Sequence, residues 1–115
     1  MAKEAYIVQE ADRVPLELSE NVDVGDILPI GADMVGIAAT SGIAGETITV
    51  YVGGVVVEAQ AADADGIAVG DKLYFDATNR VLTKDSASGS NSFAGHAVTA
   101  KAANTAGSVQ FLLNR

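Results

Sequence analysis

His96 is the only imidazole in the chain, and Ser88, Ser90 and Ser92 precede it closely enough to be weighed as nucleophiles. A serine nucleophile needs its base within hydrogen-bond reach and a sharp strand-to-helix turn that exposes its oxygen. The surrounding Lys84-Asp85-Ser86-Ala87-Ser88-Gly89-Ser90-Asn91-Ser92 has no Gly-x-Ser-x-Gly pattern. His96 therefore reads as a strand residue that packs or makes one hydrogen bond. Asp63-Ala64-Asp65-Gly66 begins like a calcium loop, yet the place of its closing glutamate falls on Tyr74. Gly31 and Gly36 have the spacing of a phosphate loop, but Ile37 and Ala38 stand where Lys and Ser or Thr are required. Without that lysine nothing reaches a terminal phosphate. Fifteen Asp and Glu residues could supply a glycosidase pair, although three Phe, three Tyr and no Trp leave little to build a sugar cleft. With no cysteine there is neither a disulfide nor a thiolate metal site. The expectation is no catalytic residue, no cofactor, no metal and no small-molecule substrate.

The elements that would position these residues are strands. Val14-Pro15-Leu16-Glu17-Leu18 alternates apolar and polar, with Pro15 where only an edge strand tolerates it. Glu46-Thr47-Ile48-Thr49-Val50-Tyr51-Val52 places Ile48, Val50 and Val52 on one face. Gly53-Gly54 reads as a tight hairpin turn into a strand over residues 55–60. A second hairpin joins Lys72-Leu73-Tyr74-Phe75 to Arg80-Val81-Leu82-Thr83 through Asp76-Ala77-Thr78-Asn79. Residues 108–113 form a last strand, and shorter ones are expected at 6–8, 27–30, 35–39 and 93–99. Residues 58–68 are rich in Ala and could form a turn or two of helix. The spacing predicts an all-β fold, a small β-barrel or β-sandwich of short antiparallel strands.

The two halves also echo each other. Val24-Gly25-Asp26-Ile27-Leu28 matches Val69-Gly70-Asp71-Lys72-Leu73, and Gly36-Ile37-Ala38 matches Gly95-His96-Ala97. Ala44-Gly45 before the strand ending at Val52 matches Ala106-Gly107 before the strand ending at Leu113. The second half carries the additional polar stretch 84–92, which reads as a mobile surface loop. An internal pseudo-repeat follows.

At 115 residues the chain suits one domain, expected over 13–115, with residues 1–12 as a first strand or an arm that orders against a partner. A net charge of −8, with no basic residue between Arg13 and Lys72, excludes direct binding of nucleic acid. The N-terminus lacks the apolar run of a signal peptide, and no stretch is long enough to span a membrane. Nearly half the residues are apolar, but Ala and Val dominate them, so the core is thin and oligomerisation would supplement it.

These motifs, taken in order, resemble one family. Val8-Gln9-Glu10, Val24-Gly25-Asp26, Gly36-Ile37-Ala38, Val52-Gly53-Gly54-Val55, Val69-Gly70-Asp71-Lys72-Leu73-Tyr74-Phe75-Asp76, Gly95-His96-Ala97 and the ending Val109-Gln110-Phe111-Leu112-Leu113-Asn114 carry the likeness. It is to the capsid decoration proteins of tailed phages, also called cement or head-stabilisation proteins. Members are often mislabelled as RecA/RadA-type recombinases, a label that the missing phosphate-loop lysine and the acidity contradict. One departure is Val57-Glu58-Ala59-Gln60, where members often have a Leu-Pro-Lys-like step. The resemblance implies a virion protein made in the bacterial host cytoplasm and placed on the outer capsid surface. Its partners would be the major capsid protein and copies of itself, as a trimer, stabilising the expanded head against internal DNA pressure. The capsid contact is expected in the N-terminal segment, at Ala2, Lys3, Glu4, Ala5, Tyr6, Ile7, Val8, Gln9 and Glu10. The alternative is a generic β-barrel binding or adhesion module, displayed on a virion or in solution.

Overall fold

Alternating strands separated by Gly, Asp and Asn fold here into two stacked units. The structure, a computed structural model, describes residues 12–31 and 33–115. The first unit contains β1 (Arg13–Glu17), β2 (Ile27–Ile30), β3 (Met34–Ala38) and β4 (Thr47–Tyr51), hydrogen-bonded in the order β1-β4-β3-β2. The second contains β5 (Val56–Ala61), β6 (Lys72–Asp76), β7 (Val81–Thr83), β8 (Ser92–Ala97) and β9 (Gly107–Leu113), closed as a barrel in the order β5-β7-β6-β8-β9. The protein is thus all-β, and the barrel and the antiparallel pairing agree with the strand spacing.

The sequence echo is a structural repeat. In the first half β1 pairs with β4, β2 with β3 and β3 with β4, all antiparallel. In the second half β5 pairs with β9, β6 with β8 and β8 with β9, also antiparallel. Even the isolated bridges correspond, Val22 with Gly42 and Ile67 with Lys101. The second repeat differs by its additional stretch, which is longer than residues 84–92 because it includes β7. This strand runs antiparallel to β6 and meets β5 in parallel at Leu82 and Ala61, so it closes the barrel. Among the described residues the first repeat has no such strand and stays open between β1 and β2.

Two expectations are corrected. Gly53-Gly54 is not a hairpin turn, because β4 and β5 belong to different units; it is the link between the repeats. Residues 58–68 are not helical: β5 extends to Ala61 and a turn follows, since the alternating burial of Val57, Ala59 and Ala61 outweighs the helix preference of alanine. Pro15 does lie on an edge strand.

The barrel interior is filled by Ala61, Leu73, Phe75, Leu82, Ala94, Ala97, Val109, Phe111 and Leu113, and Ile27 and Val35 of the first repeat join this core. The first repeat keeps a smaller core of Leu18, Val22, Leu28, Ala38, Ile48 and Val50 on its other face. Gly95 sits where β8 crosses closest to β9, and a Cβ there would collide with the Leu112 carbonyl.

Polar contacts lock the two units. The ladder between β3 and β4 covers only Ile37–Tyr51 and Ala38–Val50. Beyond it the Asn114 side chain bridges the strands: its Oδ1 accepts from the Val35 N–H at 2.9 Å, and its Nδ2 donates to the carbonyls of Val35 and Val52, each at 2.8 Å. Ser92 Oγ donates to the Gly31 carbonyl at 2.6 Å, and Arg80 reaches the Ile27 carbonyl at 3.3 Å while stacked over Phe75. Replacing Asn114 with Ala leaves part-buried backbone groups without partners. The expected loss is about 2–4 kcal/mol in urea unfolding, and a loss near zero would show that the amide does not join the units.

Candidate interaction surfaces

The residues considered for chemistry are distributed to structural tasks. His96 lies on the outer face of β8, its ring edge-on to Phe93 at 5.6 Å between centroids. Ser92 begins β8 and is buried against Gly31, while Ser88 lies in a short helical turn, Ala87–Gly89, within the surface segment. Asp65 Oδ2 accepts from Thr83 Oγ1 at 2.8 Å and from the Lys84 N–H at 2.9 Å, so it holds the end of β7. Asp63 contributes only its carbonyl, to the Thr105 N–H and to Lys101 Nζ. Tyr74, in the place of the closing calcium ligand, is a β6 residue. Gly36 is inside β3 and not in a loop, packed under Ile30 and Val50. Among the described residues no group of three His, Asp or Glu could hold a metal ion. The expected capsid contacts at residues 2–10, and the strand expected at 6–8, lie outside the described residues.

The Val-Gly-Asp motif is a turn device used twice. Each aspartate closes the turn ahead of it: Asp26 Oδ2 accepts from the Asp23 N–H at 3.0 Å, and Asp71 Oδ2 from the Ala68 N–H at 2.9 Å. Each glycine takes a positive φ, 88° at Gly25 and 93° at Gly70, which explains the residue type. Their N–H groups donate to Ala38 and Ala97, which occupy matching places in the two repeats. Each valine is pushed outward by this geometry, leaving Val24 64% and Val69 67% exposed. Ile43 is 60% exposed on a loop beside Val24, where the Val24 N–H donates to Ser41 Oγ at 3.1 Å. The motif's aspartate and glycine are structural, and its valine is the part offered to solvent. Sequence spacing reveals the repeat; the valine's exposure follows only from the turn.

Three apolar surfaces result. One is the pair of loop ends with Val24, Ile43 and Val69. The second is the outside of the barrel, where Tyr74, Phe93 and His96 stand together; Tyr74 and Phe93 meet edge to face at 5.9 Å. The third is a groove of about 150 Å³ at the open side of the first repeat, lined by Leu16, Leu18, Val22, Leu28 and Pro29 with Glu17 and Glu20 at its rim. Both prolines of the chain lie beside this gap. The Leu18 N–H donates to Glu46, so by alternation the backbone of Pro15 faces away from β4 into the open side. The Ala38 N–H donates to Asp26, and the same alternation turns Pro29 into the open side from β2. In the barrel the counterpart of Pro29 is Tyr74, which stands in register with Thr83 of β7. The first repeat thus lacks a donor where the second accepts its closing strand.

Charge on the surface is mostly unpaired carboxylate. Among the described residues the one ion pair joins Lys84 to Asp71 at 3.4 Å. The Ala68 N–H, and then Lys84, hold the Asp71 carboxyl below its usual range. The side-chain amide and N–H of Asn79, with the Thr78 N–H, do the same for Asp76. A carboxyl whose pKa is depressed by folding contributes stability above its unfolded value, near 4, and loses it as the pH falls through the folded value. Asp71→Asn and Asp76→Asn should therefore lower the melting temperature at pH 7 and approach the wild type near pH 2. A gap that stays constant from pH 7 to pH 2 would refute this.

Comparison with known proteins gives one answer. A family model described as phage cement protein matches residues 8–113, running through both repeats and the junction between them. No curated protein and no solved structure gives a significant match. The chain belongs to the phage cement protein family, and with it to proteins associated with a phage capsid.

Proposed function

We propose that this phage cement protein binds the outer surface of a tailed-phage head and stabilises the expanded capsid against the outward push of packaged DNA. The observation that carries the reading is the family match over residues 8–113. On this reading the chain is made in the bacterial host cytoplasm and acts as a homotrimer that clamps neighbouring subunits of the major capsid protein. Residues 13–115 serve as one β domain and residues 1–12 as an arm on the shell, with residues 2–10 in contact.

The physical chemistry supports a role by contact. Fifteen carboxylates against seven basic residues set the surface against direct binding of DNA. Of the residues closest to a metal-loop pattern, Asp65 uses its carboxylate on the Thr83 hydroxyl and the Lys84 N–H, and Asp63 uses its backbone carbonyl within the fold. A protein that binds only the expanded shell stabilises it by mass action, and many weak sites repeated over one particle add together. Neither step needs a bound cofactor, a metal or a small-molecule substrate.

The test is reconstitution. Expanded capsids lacking this protein should bind it when it is added pure, and the loaded particles should rupture at a higher temperature than bare ones. Absence of binding defeats the reading, and binding with an unchanged rupture temperature removes the stabilising role.

A further inference from the structure

The two repeats carry the same row of positions on their outer faces, and among the described residues only one of the rows is covered. In the first repeat the row crosses β1, β4, β3 and β2 as Arg13, Tyr51, Ile37 and Ile27, each in register with the next. Tyr51, Ile37 and Ile27 pack against the barrel core, so this face is how the first repeat docks onto the second. The matching row of the second repeat crosses β5, β9, β8 and β6 as Val56, Leu112, His96 and Lys72. Tyr74 and Phe93 continue it on the same side, with the Phe93 ring edge-on to both Tyr74 and His96. Val56 remains 56% exposed, and Leu112, His96, Tyr74 and Phe93 are only partly buried.

We infer that this outer face of the barrel is the surface through which two copies of the chain meet. Its counterpart already serves as a protein-docking face inside the molecule. Charge favours the same occupant. At −8, two copies repel each other wherever carboxylates face carboxylates, and the centre of this face, Leu112, His96, Tyr74 and Phe93, carries none, with Glu58 and Asp76 only at its margins. The ends of the face carry opposite signs: Lys72 stands at one, and Glu58, two residues along the same side of β5 from Val56, at the other. Copies set head to tail around a closed ring bring Lys72 towards the neighbour's Glu58. Contact through strand edges is disfavoured in the first repeat by its two outward prolines and limited in the barrel by its closure. Of the apolar surfaces that remain, this face is the one whose counterpart already docks within the chain, and it gives the oligomer proposed for the cement role its contact surface.

The experiment compares the full-length wild type with Val56→Glu, Lys72→Glu and the loop-tip control Val24→Glu. Both positions in the face are exposed, so the variants should melt like the wild type. In sedimentation velocity over a range of concentrations, Val56→Glu and Lys72→Glu should self-associate at least tenfold more weakly, with Val24→Glu unchanged. Because the chain has no cysteine, a mixture of Val56→Cys and Lys72→Cys proteins should form an intermolecular disulfide under mild oxidation with diamide, in solution or on capsids. Unchanged association of both Glu variants overturns the inference, as does a monomeric wild type whose cysteine variants fail to cross-link on capsids. Unchanged association with lost capsid binding also overturns it and assigns the face to the capsid subunit. Failure of the wild type to bind capsids would count against the cement role, whereas the mass and cross-linking results bear on the face alone.

Discussion

The two-unit architecture depends on one side-chain amide. Strands β3 and β4 part company after Ile37 and Tyr51, because the outer face of the first sheet has to turn onto the barrel. Parting leaves the Val35 N–H, the Val35 carbonyl and the Val52 carbonyl without a ladder, in a place water reaches poorly. An amide is the smallest side chain that accepts one hydrogen bond and donates two, and Asn114 does all three at 2.8–2.9 Å. Its backbone contributes as well, since a φ of 57° lies in the left-handed region, where asparagine is the least penalised non-glycine residue. The end of the last strand thus becomes a substitute ladder for the first repeat. Aspartate would present acceptors to two carbonyls, and leucine would strand all three groups.

The rest of the architecture follows from how each repeat finishes the same ladder pattern. The second repeat places β7 between β5 and β6, which closes the barrel through the Ala61–Leu82 contact and buries Leu82 in its interior. Arg80, at the turn into β7, then reaches back to the Ile27 carbonyl, so the strand that closes one repeat also ties down the other. The first repeat has only residues 31–33 between β2 and β3, where the second has β7. Its open side is protected instead by Pro15 and Pro29, which withhold N–H groups from any incoming strand. One ladder pattern therefore has two endings, one that closes the sheet and one that blocks its edges.

Much of this was legible in the sequence because it is local. Period-2 alternation located nearly all the strands, Pro15 marked an edge, and the doubled Val-Gly-Asp announced a repeat. Each is a short-range rule: a side chain on a pleat, a missing donor, a glycine where φ turns positive. What stayed hidden depends on contacts distant in sequence. Gly53-Gly54 carries the composition of a hairpin turn, and only the sheet assignment of β4 and β5 makes it a link between units. Alanines at 59 and 61 favour helix locally, whereas pairing with β9 and packing against the barrel core decide for strand. The parallel contact of β5 with β7 and the task of Asn114 involve partners roughly 20 to 80 residues away and leave no periodic trace. The Val-Gly-Asp motif marks the repeat in sequence; in the structure two of its three residues build the turn, and the valine is left exposed.

The small side chains that dominate the composition explain why so much of this molecule is interface. Burying a methyl-sized side chain removes little apolar area, at roughly 25 cal/mol per Å². A unit built around Leu18, Val22, Leu28, Ala38, Ile48 and Val50 has little reserve by itself. The first repeat gains more by committing its second face, with Ile27, Val35, Ile37 and Tyr51, to the barrel. The barrel, with two phenylalanines fully buried, has the larger core and can leave its own outer face partly open. A thin core thus makes docking between units a condition of folding for one repeat and leaves the other with a face free for contact outside the chain. For a member of a phage cement protein family, associated with a capsid, that division places stability on the inside of the repeat pair and leaves its outside for the contacts proposed above.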